Sequence, residues 1–153
     1  MDKLGIMHEV KVNTRIDYYK VSPDAVKAML VLEGFVNNSS LEKSLLELIK
    51  IRASQINGCA YCIELHMATA HKQGESDQRL DSIMVWRDTP FFTEREQAAL
   101  AWTEAVTLLP ETHAPDELYQ EVLKYFNEKE TVELTMAIIT INSWNRLAVS
   151  FRK

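Results

Sequence analysis

The segment LLELIKIRASQINGCAYCIELH, residues 45–66, predicts two helices that meet at a glycine. Its first half places apolar side chains at helical spacing, at Leu45, Leu48, Ile49 and Ile56. Gly58 suits the end of that helix, because glycine readily adopts the left-handed conformation found there. The next helix begins at about Cys59 and ends before Gly74. The segment therefore puts the only two cysteines of the chain, Cys59 and Cys62, at the start of a helix.

Capping residues outline the neighbouring helices. Ser22 and Pro23 supply an N-cap and a first-turn proline for a helix whose inward residues are Val26, Met29 and Leu30. Ser39 with Glu42 three residues later has the capping-box pattern, and it opens the helix that ends at the glycine. Ser76 caps a short helix with an apolar face formed by Leu80, Ile83 and Met84.

The C-terminal half of the chain predicts three more helices. Pro90 ends the short helix, and Thr93 with Glu96 forms a second capping box. That box opens a helix with Ala98, Ala101, Trp102, Ala105 and Leu109 at helical spacing. Pro115 starts a helix that carries Leu118, Val122 and Phe126. The last helix, about 131–151, is apolar nearly all round, which predicts burial in the core or against another subunit.

The predicted fold class is all-α, with about six to seven helices. No stretch alternates apolar and polar residues as a strand does, and Gly and Pro number only four each. A chain of 153 residues with 46% hydrophobic residues can bury one sizeable core. No linker interrupts it, so we expect a single domain over residues 1–153, with its core at about 20–150.

Charge and hydropathy exclude several classes of function. Acidic residues outnumber basic ones, 22 to 17, and no Lys/Arg cluster marks a nucleic-acid surface. Residues 1–20 lack the apolar core and cleavage site of a signal peptide. No apolar run approaches the roughly 18 residues that span a bilayer. The predicted location is therefore the cytoplasm, with no nucleic acid or membrane as partner.

The cysteine pair has the spacing of a redox site. Two residues three apart in a helical turn lie roughly 5 Å apart, within the range of a disulfide. The helix N-terminus favours thiolate over thiol. His66 follows Cys62 by four residues and lies on the same face, where an imidazole can take and return a proton. The pattern predicts a thiol–disulfide oxidoreductase.

Three other interpretations fit the same residues. A zinc site could use Cys59, Cys62, His66 and His71, although His71 is rotated away from His66 on the helix. A structural disulfide would close a very short loop, stabilise little and be reduced in the cytosol. The cysteines could also be small buried hydrophobes beside a core histidine. His8 and His113 have no partner pattern and are expected at the surface; Trp86 and Trp102 are expected in the core or an interface.

The pattern Glu47-x11-Cys59-x2-Cys62-x3-His66 resembles the core motif of the alkylhydroperoxidase D (AhpD) family, within the carboxymuconolactone decarboxylase superfamily. Residues 50–59, KIRASQINGC, and 141–147, INSWNRL, resemble the same group. The resemblance covers about residues 20–150. It implies an all-helical fold, assembly into homotrimers or homohexamers, and reduction of a small peroxide at the expense of a dithiol donor. It implies no bound cofactor and no metal.

The resemblance also implies residue roles. Cys62 is the peroxide-attacking thiolate, Cys59 the resolving thiol, His66 the proton-transfer base, and Glu47 the residue that orients the histidine. The cysteine roles exchange if the first thiol is the more exposed. Well-studied members carry a second histidine where this chain has Tyr61, and a phenol is a poor base near neutral pH. Decarboxylase members lack the paired cysteines, which argues against that reaction.

Other residues of the motif have simpler interpretations. By its own helix pattern Glu47 would be a solvated surface residue, and only the family spacing makes it a site residue. For Asn142, Trp144 and Asn145 the pattern favours core packing and helix-end or subunit contacts over catalysis. Two further functions stay open: a disulfide reductase with little peroxidase activity, and a redox-sensing oligomer without turnover.

Overall fold

The computed structural model describes residues 13–153, and that part of the chain is helical with no strand. The elements are α1 (Tyr18–Val21), α2 (Pro23–Asn37), α3 (Lys43–Asn57), α4 (Ala60–Lys72), α5 (Asp77–Ser82), a 3₁₀ helix (Ile83–Asp88), α6 (Glu94–Thr107), α7 (Leu109–Thr112), α8 (Asp116–Tyr125) and α9 (Glu128–Phe151). The all-α prediction is confirmed, and each of the seven helices outlined above is present. The additional elements are the 3₁₀ helix and the single-turn helices α1 and α7.

Helix α3 lies at the centre of the fold. It packs against α4, α6 and α9, while α2 packs on α9 and α8 on α6. One core cluster lies between α3, α6, α8 and α9, around Leu46, Phe126 and Ile138. A second lies between α3, α4, α6 and the 3₁₀ helix, and it includes Leu48 and Trp86. Because neighbours cover α3 on several sides, every residue from position 45 to 51 is buried, including two that carry charge.

Two helix starts differ from the sequence prediction. The predicted Ser39–Glu42 capping box is wrong, because Glu42 is itself the N-cap of α3 and makes no side-chain cap. Ser39 Oγ is buried with no hydrogen-bond partner among residues 13–153. The reason is tertiary, because the Glu42 carboxylate accepts a 3.1 Å hydrogen bond from Arg95 Nε instead. Helix α9 begins at Glu128 rather than near position 131, through a capping box between Asn127 and Glu130.

The exposure of several apolar residues also differs from the prediction. Leu30, Met84 and Leu109 were expected on inward faces, but each is about half exposed. Helix α2 buries only Val26 and Val36 because it packs mainly on α9, and Leu109 belongs to α7 because α6 ends at position 107. Helix α9 is buried on one side and leaves Val132, Ile139 and Val149 exposed. Trp86 and Trp102 are buried, as expected of core residues.

Helix α9 is the longest element at 24 residues. Neither it nor any other helix within residues 13–153 is both long and apolar enough to cross a membrane. His8, expected at the surface, lies outside the described residues.

Candidate active site

The two cysteines occupy the junction of α3 and α4. Helix α3 ends at Gly58, whose φ of 66° is the left-handed conformation that a side chain disfavours. Cys59 is the N-cap of α4, and its Sγ accepts a 3.3 Å hydrogen bond from the Cys62 N–H. The Cys59 N–H in turn donates to the Ser54 carbonyl at 3.0 Å. The predicted start of α4 at the cysteine pair is therefore confirmed.

The cysteines form a disulfide, with their Cα atoms 5.3 Å apart. Both are buried, with 2% of Cys59 and 4% of Cys62 exposed. Cys62 lines a cavity that Cys59 does not line. Cys59 is thus not the more exposed of the two cysteines, which is the condition under which their roles would exchange. A molecule in the cavity would contact Cys62.

His66 lies one turn beyond Cys62 on α4 and lines the same cavity. Its Nδ1 is 2.9 Å from Glu47 Oε2. Glu47 is only 5% exposed, so its helix pattern, which suggested a solvated surface residue, misleads. The carboxylate thus holds Nδ1 of the imidazole and orients the ring.

Two charged residues that the sequence did not single out continue this arrangement. Lys50 is 4% exposed, and its Nζ lies 3.6 Å from Glu47 Oε1 and 3.1 Å from Glu33 Oε1. Glu33 Oε2 accepts a 3.0 Å hydrogen bond from Trp144 Nε1. We call Glu33, Glu47, Lys50 and His66 the His66 cluster. The signal that could have pointed to Lys50 is its place one turn after Glu47 in the stretch of α3 that is buried from position 45 to 51. A buried charge needs a partner of opposite charge.

The cavity beside Cys62 has a volume of 210 Å³ and largely apolar walls. Its aromatic lining consists of Tyr18, Tyr19, Tyr61 and Trp144, and its aliphatic lining of Leu30, Leu65, Ile141 and Ala148. Burial raises the pKa of Tyr18 to about 12, with the neighbouring Tyr19, Tyr61 and Asp17 adding to the effect. That phenol is therefore neutral near pH 7. An engineered apolar cavity of about 150 Å³ holds benzene, so this one has room for a small organic molecule.

The asparagines of α9 hold the end of α3 in place. Asn57 Nδ2 donates to Asn142 Oδ1 at 2.9 Å and to Asn145 Oδ1 at 3.0 Å. Asn145 Nδ2 donates to Ser54 Oγ at 3.0 Å. These contacts agree with the packing and helix-end role expected for the two α9 asparagines. Trp144, by contrast, also lines the cavity.

Two other histidines, His71 and His113, lie apart from the cysteine pair. His71 lies in the last turn of α4 on an exposed surface, and its Nδ1 is 3.4 Å from Asp77 Oδ1. His113 is exposed and ends α7 in the left-handed conformation, which agrees with the surface prediction. Within residues 13–153, no group of three or more His, Cys, Asp or Glu side chains is arranged to hold a metal ion.

Comparisons with known proteins identify a family and several similar proteins. The model of the carboxymuconolactone decarboxylase family matches residues 23–105. The uncharacterized protein YdfG of Bacillus subtilis (strain 168) is 40% identical over 139 residues, which cover 91% of this chain and 95% of that protein.

Two solved structures are similar as well. One is ATU0492 from Agrobacterium tumefaciens, a protein of unknown function provisionally assigned as the antioxidant defence protein AhpD. It has a TM-score of 0.90 and 46% identity, covering 92% of this chain and 97% of that chain. The debrominase Bmp8, solved in complex with 2,3,4-tribromopyrrole, has a TM-score of 0.79 and 21% identity, covering 88% of this chain and 72% of that chain. At that identity the likeness to Bmp8 is one of fold alone.

Proposed function

The chain belongs to the carboxymuconolactone decarboxylase family, and from that premise we propose that it is a thiol-dependent peroxidase acting on small organic hydroperoxides. The AhpD-like character recognised in the sequence is confirmed by the family match and by the likeness to ATU0492. One observation carries the proposal: Cys62, joined to Cys59, lines an apolar cavity beside a histidine that is paired with a buried carboxylate. The paired cysteines argue against a decarboxylase.

The first step is attack of the Cys62 thiolate on a peroxide oxygen. The S–O bond forms as the O–O bond breaks, so that sulfur is oxidised by two electrons and the peroxide oxygen is reduced. The departing alkoxide takes a proton from His66 Nε2 and leaves as an alcohol. Glu47 at 2.9 Å stabilises the imidazolium that carries this proton.

The second step resolves the sulfenic acid. The Cys59 sulfur attacks the Cys62 sulfur, the S–S bond forms, and the hydroxyl leaves as water with a proton. The Cα separation of 5.3 Å permits this step with little backbone movement. A dithiol donor then restores the pair by thiol–disulfide exchange. Cys59 leaves as a thiolate, which the Cys62 N–H and the helix N-terminus stabilise. The cycle needs no cofactor or metal.

Assembly and location are part of the same proposal. Helices α2 and α9 lie side by side and expose apolar residues, among them Val31, Phe35 and Val132. Burial of such residues would favour association, and the proposed state is a cytoplasmic homotrimer or homohexamer. Sedimentation velocity at micromolar concentration tests it, and a monomer would contradict it.

The test of the peroxidase proposal is stopped-flow oxidation of the reduced protein. Wild type, Cys62→Ser and Cys59→Ser are mixed with hydrogen peroxide and with cumene hydroperoxide, and thiol loss and disulfide formation are followed. We expect fast oxidation of the wild type, none above background in Cys62→Ser, and a sulfenic acid trapped by dimedone in Cys59→Ser. Full peroxidase activity in Cys62→Ser would overturn the assignment.

A disulfide reductase is the second candidate, and Tyr61 favours it, since it replaces the second histidine of the well-studied peroxidases. The same experiment separates the two functions. If both peroxides oxidise the protein slowly but its disulfide exchanges rapidly with dihydrolipoamide, the result would support a disulfide reductase. Oxidation that changes only the mass in light scattering, without turnover, would support the redox-sensing oligomer.

A further inference from the structure

Glu33 reaches the site from a different helix than the other members of the His66 cluster. It lies on α2, lines the cavity, and accepts the Trp144 N–H with one oxygen and the Lys50 ammonium with the other. Lys50 thus lies between two carboxylates. With His66 neutral the cluster carries two negative charges and one positive charge, and with His66 protonated its charges balance.

We propose that Glu33 and Lys50 are positioning residues that set the charge at the Cys62–His66 pair and so the pH at which the pair releases its protons. The inference rests on the proposed redox function of that pair. Glu33 also joins the cavity wall to the cluster, because the Trp144 ring lines the cavity while its N–H holds the carboxylate.

The physical reason is the balance of charge in a buried site. Lys50 has a side chain 5% exposed and Glu33 one 23% exposed, so water screens their fields weakly. Each proton lost from the Cys62–His66 pair makes the pair more negative, whichever residue gives it up. A negative neighbour opposes that loss, and a positive neighbour favours it.

Within residues 13–153, the titratable groups around the pair come from four helices. They are Tyr18 and Tyr19 from α1, Glu33 from α2, Glu47 and Lys50 from α3, and Tyr61 from α4 itself. Helix α9 contributes the non-ionisable Ile141, Trp144 and Ala148. Lys153, just after α9, lies 3.8 Å from the centroid of the Tyr19 ring and 4.9 Å from that of Tyr61. Glu33 and Lys50 carry opposite charges. Removing each charge separately should therefore shift the pH at which the Cys62–His66 pair releases its protons in opposite directions.

The test is the pH dependence of alkylation of Cys62 by iodoacetamide, which reacts with the thiolate. The Cys59→Ser background leaves one thiol, and Glu33→Gln and Lys50→Met are introduced into it. Asp24→Asn is the matched control, since it removes one negative charge from the same helix at a side chain 94% exposed. Circular dichroism and thermal unfolding report whether each variant is folded.

We expect the alkylation profile of Glu33→Gln to move to lower pH by about 0.5 to 1 unit. The profile of Lys50→Met should move to higher pH by a similar amount, and Asp24→Asn should leave it in place. A purely structural role would not give shifts of opposite sign. If Lys50→Met does not fold, the comparison of Glu33→Gln with Asp24→Asn decides alone.

Coincident profiles for Glu33→Gln and Asp24→Asn would overturn the proposal, as would a shift of both site variants in one direction. The measurement needs no peroxide. A protein that failed to reduce peroxides but gave the opposed shifts would refute the peroxidase proposal and retain this one.

Discussion

Lys50 and Arg52 are two residues apart on α3 and serve two different charged clusters. Lys50 belongs to the His66 cluster beside Cys62. Arg52 donates to Glu104 Oε1 at 2.9 Å, together with Trp86 Nε1 at 2.9 Å, while Arg87 pairs with the other carboxylate oxygen. We call these four residues the Glu104 cluster. The carboxylates of Glu47 and Glu104 are both largely buried, but only the first is paired with a histidine among residues 13–153.

The two clusters differ in the cations that bind their carboxylates. Guanidinium groups stay charged at all ordinary pH values and bind carboxylates in a fixed geometry. Burial alone would raise the pKa of Glu104, but hydrogen bonds from Arg87, Trp86 and Arg52 outweigh it and hold that pKa below its usual range. The Glu104 cluster is thus a permanent tie between α3, α6 and the 3₁₀ helix. The His66 cluster instead joins its carboxylates to a lysine and an imidazole.

Among the substitutions that test this difference between the two clusters, Glu47→Gln should have the largest effect. The amide keeps the size of the side chain but no longer stabilises an imidazolium, so we expect the rate of Cys62 oxidation by cumene hydroperoxide to fall about 100-fold. Stopped-flow oxidation at pH 7 measures this. Circular dichroism should show a folded protein, and a rate within threefold of wild type would remove Glu47 from the proton path.

Glu104→Gln should have the reverse effect: it should lower the stability of the fold and leave the oxidation rate nearly unchanged. Loss of the carboxylate leaves Arg52 and Arg87 without their anion, and we expect the free energy of unfolding to fall by about 2 kcal/mol. The oxidation rate should stay within about twofold of wild type. Urea unfolding gives the first quantity and stopped flow the second. A strong loss of rate in a stable variant would mean that the two clusters are coupled.

The stability difference between wild type and Glu104→Gln should depend on pH. A carboxyl whose pKa is lowered by folding contributes stability above its unfolded value, roughly 4.3, and loses it as the pH falls through the folded value. We therefore expect a constant difference between pH 7 and 5 that shrinks below about pH 4. Urea unfolding at pH 7, 5 and 3.5 measures it. A difference that grew in acid would contradict the sign of the shift.

Asn57→Ala should have the smallest effect. It removes the hydrogen bonds from α3 to Asn142 and Asn145 on α9, with an expected cost of about 1 kcal/mol in unfolding free energy. Oxidation of Cys62 should slow only slightly, because Gly58 and the N-cap geometry of Cys59 remain. If the rate fell as far as in Glu47→Gln, the asparagine contacts would belong to the site rather than to its support.

Local signals in the sequence predicted most of the fold. The Thr93–Glu96 capping box, the Ser76 cap and the left-handed Gly58 are present as predicted, because each depends on residues close together in the chain. Predictions that depended on distant partners were less successful. The Ser39–Glu42 box is absent because Arg95 binds Glu42, and Leu30 is exposed because α2 has a neighbour mainly on one side.

The residues of the candidate site also divide into those that local sequence signals predicted and those that depended on distant partners. The sequence by itself determined the cysteine pair at a helix start and the histidine one turn later, because three- and four-residue spacings fix which side chains share a helix face. Only the tertiary structure decided that Glu47 reaches the histidine, that Lys50 and Glu33 extend the cluster, and that Cys62 alone of the pair lines the cavity. Those contacts join residues on different helices, and their cause is the packing of α4 and α9 on the buried α3 and of α2 on α9.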